Sequence, residues 1–350
     1  MKNKLVKHAN LLENITFALM KKVLFVFLMI ISCGLNSIAQ QTAKAPVSRP
    51  KIGLVLGGGG AKGAAAVGVL KEIERVGIPI DYIAGTSIGS IIGGLYAEGY
   101  RANDIDTLFR SQDWLSLMAD RDTTLMGKVF KEENGVYYLF GFPVRRKAGT
   151  GANEAFGLLH GDHIYNFLDT LVAHSPVQRG LQQKAIPFAC VAFDIRKQQE
   201  IVLDTGSLAR NMRASMAIPG VFKPILLDTM TLVDGGMINN LPVDVVRKMG
   251  ADIVIAIDLQ QNKHDDYHSP LAFLKGMGGV LDWLAERPDI KKYNVNRTQA
   301  DIYINPNLGS YGVKDFNAKV IKDMIRIGGE TGKQYQSQLT ELLSKVGKGS

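Results

Sequence analysis

The chain has 350 residues, room for one large domain or two small ones, with 46% hydrophobic and 21% charged residues. That composition excludes a largely disordered chain and leaves a globular protein with apolar material for a sizeable core; repeat arrays and miniproteins do not fit it. The formal charge of +8 does not mark a nucleic-acid binder: Lys2, Lys4, Lys7, Lys21 and Lys22 against Glu13 supply half of it within the first 39 residues, and no block of five or six like charges occurs.

Lys21-Lys22 stand directly before the apolar run Val23-Leu24-Phe25-Val26-Phe27-Leu28-Met29-Ile30-Ile31, too short to span a bilayer comfortably. With the small residues Ser37-Ile38-Ala39 before Gln40, residues 1–39 read as a leader carrying a secretory signal peptide, with Met20 as an alternative start. A lipobox around Cys33 is a poorer fit, because Ile31 suits its position badly. The other cysteine, Cys190, lies in an apolar strand, so an exported chain has no disulfide framework and no thiolate metal site. Residues 40–50 form a polar, Pro-containing linker.

From Lys51 to about residue 258 the pattern is strong. Residues 52–56 form a short apolar strand running into Gly57-Gly58-Gly59-Gly60, and residues 61–75 carry Val67, Leu70 and Ile73 at helical spacing. Pro79 and Asp81 then interrupt, a second strand covers 82–84, and Gly85-Thr86-Ser87-Ile88-Gly89 turns it into a small-residue helix reaching about residue 98. Val136-Tyr137-Tyr138-Leu139-Phe140-Gly141-Phe142, ahead of Arg145-Arg146-Lys147, reads either as a lipid-meeting flap or as a core hairpin turning at Asn134-Gly135, and Trp114 and Met118 upstream suit either. Residues 188–193 and 200–203 read as strands, and 208–216 as a helix stopped at Pro219-Gly220. Leu232-Val233 leads into Asp234-Gly235-Gly236, a helix over 243–249 ends at Gly250, and 253–257 is apolar throughout, as a strand covered on both faces should be. The fold class is α/β with a largely parallel sheet. Residues 259–314 read as irregular and polar, and 315–346 as a helical segment packed over the sheet.

Gly58-Gly59-Gly60-Ala61-Lys62-Gly63 satisfies G-x-G-x-x-G between a strand and a helix, but two nucleotide readings fail. Asp81 precedes the next strand where a dinucleotide site wants an acidic residue at its end, and Lys62 is followed by Gly63 where a phosphate-binding loop needs Ser or Thr. What remains is a loop of bare backbone N–H groups at a helix N-terminus, suited to a negative oxygen, or else a tight turn needing glycine for its dihedrals.

Gly85-x-Ser87-x-Gly89 between strand and helix is a nucleophile-elbow pattern, in which flanking glycines permit a sharp turn that exposes the hydroxyl; the plain alternative for Ser87 is a helix N-cap. The histidines outside the leader are His160, His163, His174, His264 and His268, none at a strand end within the patterned sheet, and His160 with His163 reads as surface before metal site. Asp234, after an apolar strand and before two glycines, is the better base candidate, with an Asp-Gly turn as its alternative. A lone carboxylate with an ordinary pKa near ~3.9 is a weak base for a hydroxyl, so that role requires contact and partial desolvation.

These blocks, together with Arg213-Ala214-Ser215-Met216-Ala217-Ile218-Pro219 and Asn239-Asn240-Leu241-Pro242, resemble the patatin-like phospholipase family over roughly residues 51–346. The resemblance implies a three-layer α/β/α fold and a Ser-Asp dyad with Ser87 as nucleophile and Asp234 as base. It also implies an oxyanion hole from the glycine loop (Gly58, Gly59, Gly60, Ala61), with Lys62, Gly63, Gly85, Gly89, Gly235 and Gly236 supporting the three motifs. Lys62 stands where the family often carries Arg, which offers a bidentate fork that Lys lacks. The expected activity is acyl-ester hydrolysis on membrane lipid with no cofactor or metal, peripheral membrane contact and no nucleic-acid partner. Export would place it in the periplasm, at the outer-membrane periphery or outside the cell. The rivals are an esterase or thioesterase on soluble acyl substrates and a non-catalytic lipid-binding module.

Overall fold

The computed structural model describes residues 20–22, 49–118, 131–133, 136–138, 157–181, 185–261 and 289–347. Apart from residues 20–22, which are helical, the expected leader with Cys33 and Ala39 lies outside them, as do linker residues 40–48, Leu139–Phe142 with Arg145-Arg146-Lys147, His264 and His268. Pro50–Lys348 groups as one compact unit.

In chain order, β1 (Ile52–Leu56) leads through the glycine loop to α1 (Gly63–Val76), and β2 (Tyr82–Thr86) to α2 (Ile88–Ala97), α3 (Ala102–Ser111) and α4 (Trp114–Met118). β3 (Lys131–Glu133), β4 (Val136–Tyr138) and β5 (Gly157–Leu159) precede α5 (Asp162–Ala173), β6 (Phe188–Asp194), β7 (Gln199–Leu203) and α6 (Leu208–Ser215). Three short strands follow, β8 (Gly220–Phe222), β9 (Ile225–Leu227) and β10 (Met230–Asp234), then α7 (Val243–Lys248) and β11 (Ile253–Ile257). The chain continues with α8 (Asp289–Thr298), β12 (Ile302–Ile304), α9 (Ala318–Gln334) and α10 (Gln336–Gly347).

The main sheet runs β12-β11-β1-β2-β6-β10-β9, with β7 on β6. Strands β12, β11, β1, β2 and β6 are mutually parallel, while β10, β9 and β7 join antiparallel. Alternation along the buried strands divides two cores, as a pleated sheet covered on both faces requires. Ile52, Leu54 and Leu56 pack with Leu70 of α1, Ile92 of α2 and Met324 of α9, whereas Val55, Ala84 and Ala256 pack with Val245 and Val246 of α7 and Tyr293 of α8. The architecture is therefore a three-layer α/β/α fold with a mixed, mostly parallel sheet.

One expectation is corrected. Residues 259–314 are not irregular throughout, because β12 adds an edge strand to the sheet and α8 covers one face. A three-residue apolar run between Asp301 and Asn305 is too short to show a period; it is recruited by contacts distant in sequence. Buried Asp258 accepts hydroxyl hydrogen bonds from Tyr293 of α8 and Tyr303 of β12, and Asp301 accepts the Val254 N–H at 2.7 Å. The segment at 315–346 is helical as expected, in two helices, α9 and α10, on either side of Tyr335. Strands β3 and β4 pair with Glu133 opposite Val136, the pairing expected of a hairpin, and stand apart from the main sheet. Trp114 belongs to the core: it is buried, stacks near Phe109, Phe167 and Phe316, and donates its ring N–H to the Phe109 carbonyl at 3.0 Å. Among the described residues no helix is long and apolar enough to cross a membrane.

Helix α9 crosses α1 at backbone contact. A Cβ on Gly328 would lie 1.9 Å from the Ala65 carbonyl oxygen, and one on Gly68 2.1 Å from that of Ile325. Larger side chains there must separate the helices, and overpacking of this kind costs roughly 1–3 kcal/mol. Gly328→Leu is expected to lower the urea midpoint accordingly, whereas Lys322→Leu on an exposed position of the same helix should leave it nearly unchanged.

Candidate active site

Ser87 and Asp234 are brought together by adjoining strand ends. β2 is held parallel between β1 and β6, and β10 runs back along β6 with Asp234 opposite Ala192, one residue beyond the Thr86–Val191 pair. The Ser87 hydroxyl donates to Asp234 Oδ2 at 2.7 Å, with both residues buried. Ser87 stands immediately before α2 in the N-cap position, yet its side chain makes no capping hydrogen bond. Its backbone, at φ 54° and ψ −124°, turns the hydroxyl to the carboxylate instead. The hydrogen bonds around it are specific: the Ser87 N–H donates to Ser215 Oγ at 3.0 Å, Ser90 Oγ donates to the Ser87 carbonyl at 2.6 Å, and Thr86 Oγ1 donates to the Asn239 carbonyl at 2.8 Å. Gly89 is required by close approach, because a Cβ there would lie 2.1 Å from the Leu56 carbonyl oxygen. Gly85, on β2, faces the Gly89 backbone in turn.

Asp234 divides its two oxygens. Oδ1 accepts the Gly236 N–H at 2.7 Å and Oδ2 accepts Ser87, so the Asp-Gly turn and the contact with the serine coexist. Gly235 opens the turn with its Cα against the Val191 carbonyl. Burial pushes the Asp234 carboxyl up to about 6, against the opposing pull of the hydrogen bonds from Ser87 and from the Gly236 N–H.

The glycine loop abuts Ser87, since a Cβ on Gly58 would lie 3.1 Å from the serine Cβ. Of its four expected donors, two are already committed. The Gly58 N–H donates to the Asn240 carbonyl at 3.2 Å and the Ala61 N–H to the Val313 carbonyl at 2.9 Å, which leaves the amides of Gly59 and Gly60 without a partner among the described residues. The loop needs external holding because glycine gives it no side chains to pack. Asn240 supplies this by also donating its side-chain amide to the Gly58 carbonyl at 3.3 Å. Gly60 has φ +56° and lies so close to Val313 that a Cβ would meet its carbonyl oxygen at 2.4 Å. Gly63 opens α1, and Lys62 is half-buried, its pKa lowered by burial and supported in the opposite direction by Asp258 and Asp315.

His160 and His163 flank the start of α5, and among the described residues no three His, Cys, Asp or Glu gather as metal ligands. Residue-by-residue reading missed Ser215, Asn239, Asn240 and Val313. The first three do lie in the two flanking stretches already singled out in the sequence, but Val313 contributes only a carbonyl, which no side-chain pattern reveals.

The raised Asp234 carboxyl has a stability consequence. The folded state holds this proton more tightly than the unfolded chain between pH about 4 and about 6, so its contribution is fully favourable below the unfolded pKa and is lost as pH rises through the folded one. The cost at pH 8 is on the order of 2–3 kcal/mol. Asp234→Asn should therefore be more stable than wild type to urea at pH 8, with the difference shrinking toward pH 4; a variant less stable at pH 8 would contradict this.

A model described as patatin-like phospholipase matches residues 54–247, more than half of the chain. Patatin-like phospholipase domain-containing protein 7 of Mus musculus is 35% identical over 217 residues, covering 61% of this chain and 14% of that protein. Lysophospholipase NTE1 of Coccidioides immitis (strain RS) is 29% identical over 308 residues, 82% of this chain and 18% of the relative. The chain thus spans less than a fifth of the length of these curated relatives. In fold it is similar to VipD from Legionella pneumophila, with a TM-score of 0.50 and 14% identity over 83% of this chain and 67% of that one. The chain belongs to the patatin-like phospholipase family.

Proposed function

We propose that the protein is a serine acyl hydrolase that releases fatty acids from phospholipid or related acyl-lipid esters, with residues 51–346 as its catalytic domain. The observation that carries this reading is the 2.7 Å hydrogen bond from Ser87 Oγ to buried Asp234. Ser87 attacks the ester carbonyl while Asp234 takes its proton, and the negative oxygen that forms is held by the uncommitted loop amides of Gly59 and Gly60. The tetrahedral adduct collapses, Asp234 returns the proton to the departing alcohol, and an acyl-Ser87 ester remains. Water then attacks this ester, giving its proton to Asp234, and fatty acid leaves as the proton passes back to Ser87 Oγ. A carboxyl near 6 is a stronger base than an ordinary one and is still ionised at neutral pH, which suits the role.

The relatives' names support a lipid ester as substrate, and the site's dyad requires no metal in this scheme. The same proposal includes cleavage after Ala39 and action in a bacterial envelope, at the periplasmic face, the outer-membrane periphery or outside the cell. It rests there on Lys21-Lys22, the apolar run 23–31 and Ser37-Ile38-Ala39. Contact with lipid is peripheral.

Fatty-acid release from phospholipid vesicles in EDTA is expected for wild type, with Ser87→Ala and Asp234→Asn each lowering kcat by about 10⁴-fold while remaining folded. Because Asp234 must be ionised, kcat/KM should rise with pH through about 6 and then level off. Hydrolysis of short soluble esters without vesicle cleavage would move the assignment to a soluble esterase. Vesicle binding without any hydrolysis would leave a lipid-binding module.

A further inference from the structure

The stretch Arg213-Ala214-Ser215-Met216-Ala217-Ile218-Pro219 carries no group in the scheme above, yet it touches both reactive residues. Ser215 Oγ accepts the Ser87 N–H at 3.0 Å, and two residues on the Ala217 carbonyl accepts the Asp234 N–H at 2.9 Å. The Ser215 hydroxyl has no freedom of role: an N–H can only donate to it, and the Val191 carbonyl, 2.6 Å away, can only accept from it. Its proton therefore points to β6 and its lone pair to the Ser87 amide. Ser215 is fully buried, so no water substitutes for either bond.

The stretch is itself anchored from behind. Arg213, at 1% exposure, donates to the carbonyls of His160 at 2.7 Å, Gly161 at 3.3 Å and Lys223 at 3.2 Å, and lies over the Phe222 ring. This pins the end of α6 to the segments on either side. From that fixed point, one side chain reaches the nucleophile's backbone and one carbonyl reaches the base's backbone. Two strand ends that are 147 residues apart in sequence are thus spaced by three consecutive residues.

We infer that residues 215–217 act as a spacer that sets the distance between Ser87 and Asp234, with Ser215 as a positioning residue for the nucleophile. The inference rests on the dyad reading. Its physical basis is the Ser87 backbone: a non-glycine residue at φ 54° relaxes unless its amide is held, and the hydroxyl moves with it. The Ser87 amide, being committed to Ser215, is also not a donor to the oxyanion.

The test compares wild type with Ser215→Ala, Ser215→Thr and Ser215→Cys. Controls are Ser87→Ala and Ser175→Ala, the latter removing a fully buried hydroxyl that bonds Glu98 at 2.8 Å. Readouts are the rate at which a fluorophosphonate labels Ser87, expelling fluoride, then kcat and KM on a short-chain ester, and thermal stability. Ser215→Ala should lower the labelling rate and kcat by roughly ten- to a hundredfold with KM unchanged, as misplacement of a reacting atom does. Ser215→Thr, which keeps the hydroxyl, should recover most of the loss, and Ser175→Ala should lower stability without slowing labelling. A folded Ser215→Ala labelled at the wild-type rate overturns the inference, and so does an equal slowing in Ser175→Ala. If Ser215→Ala does not fold, the comparison rests on Ser215→Cys, expected slow, against Ser215→Thr, expected fast; equal rates overturn it. Labelling that is lost in Ser87→Ala but unchanged in Ser215→Ala refutes the spacer alone. An unlabelled wild type refutes the nucleophile, and the spacer with it.

Discussion

Ser87 holds a backbone conformation that side-chain-bearing residues avoid, and the surrounding structure is arranged to keep it there. Such a conformation costs on the order of 1–3 kcal/mol and persists only where neighbours over-determine it. Here the neighbours are Ser215 on its amide, Ser90 on its carbonyl, and the contact of Gly89 with the end of β1, which leaves no room for the turn to open. The outcome for the side chain follows directly. A serine preceding a helix would ordinarily cap it, but this backbone carries the hydroxyl away from the helix amides and toward Asp234.

The second constraint is the burial of the Asp234 carboxylate, which accepts two hydrogen bonds among the described residues. Each bond favours the charged form and burial opposes it, and burial wins, which is why the carboxyl titrates nearer neutrality than an exposed aspartate. The Gly235-Gly236 turn serves two ends in this balance. It supplies the amide that satisfies Oδ1, and its lack of side chains lets the Val191 carbonyl and the Asn240 side chain approach the turn closely. Asn240 then reaches the glycine loop, holding Gly58 at both its N–H and its carbonyl, so the Asp234 turn and the glycine loop are one connected unit.

The region after residue 247 completes that unit from outside the part matched by the family model. The Val313 carbonyl takes the Ala61 N–H and lies against Gly60, while α9 crosses α1, the helix that the glycine loop opens, at backbone contact. Asp258, with its two tyrosines, fastens α8 and β12 to the end of β11. The motifs of the candidate site are therefore short, but the geometry around them draws on distant parts of the described residues.

How much of this was legible in the sequence depends on the range of the physics involved. The strands β1, β2, β6 and β11, the glycine loop, the elbow at Ser87 and the turn at Asp234 are all set by local rules: apolar runs, backbone sterics and the unique freedom of glycine. These determined the α/β class and marked Ser87 and Asp234 as candidates. The short strands β8, β9 and β12 left no periodic trace, because three residues cannot display one, and their pairing decides their state. Whether the Ser87 hydroxyl caps its helix or turns to Asp234 was open for the same reason: both satisfy the local rules, and only the meeting of β2, β6 and β10 brings the two side chains to 2.7 Å, with the Asp-Gly turn kept alongside. So too with the donors of the glycine loop. The sequence by itself determined that Gly58 to Ala61 present bare amides; the tertiary structure decided that Asn240 and Val313 occupy two of them, because a hydrogen bond between residues far apart in the chain forms only where the fold has already placed its partner.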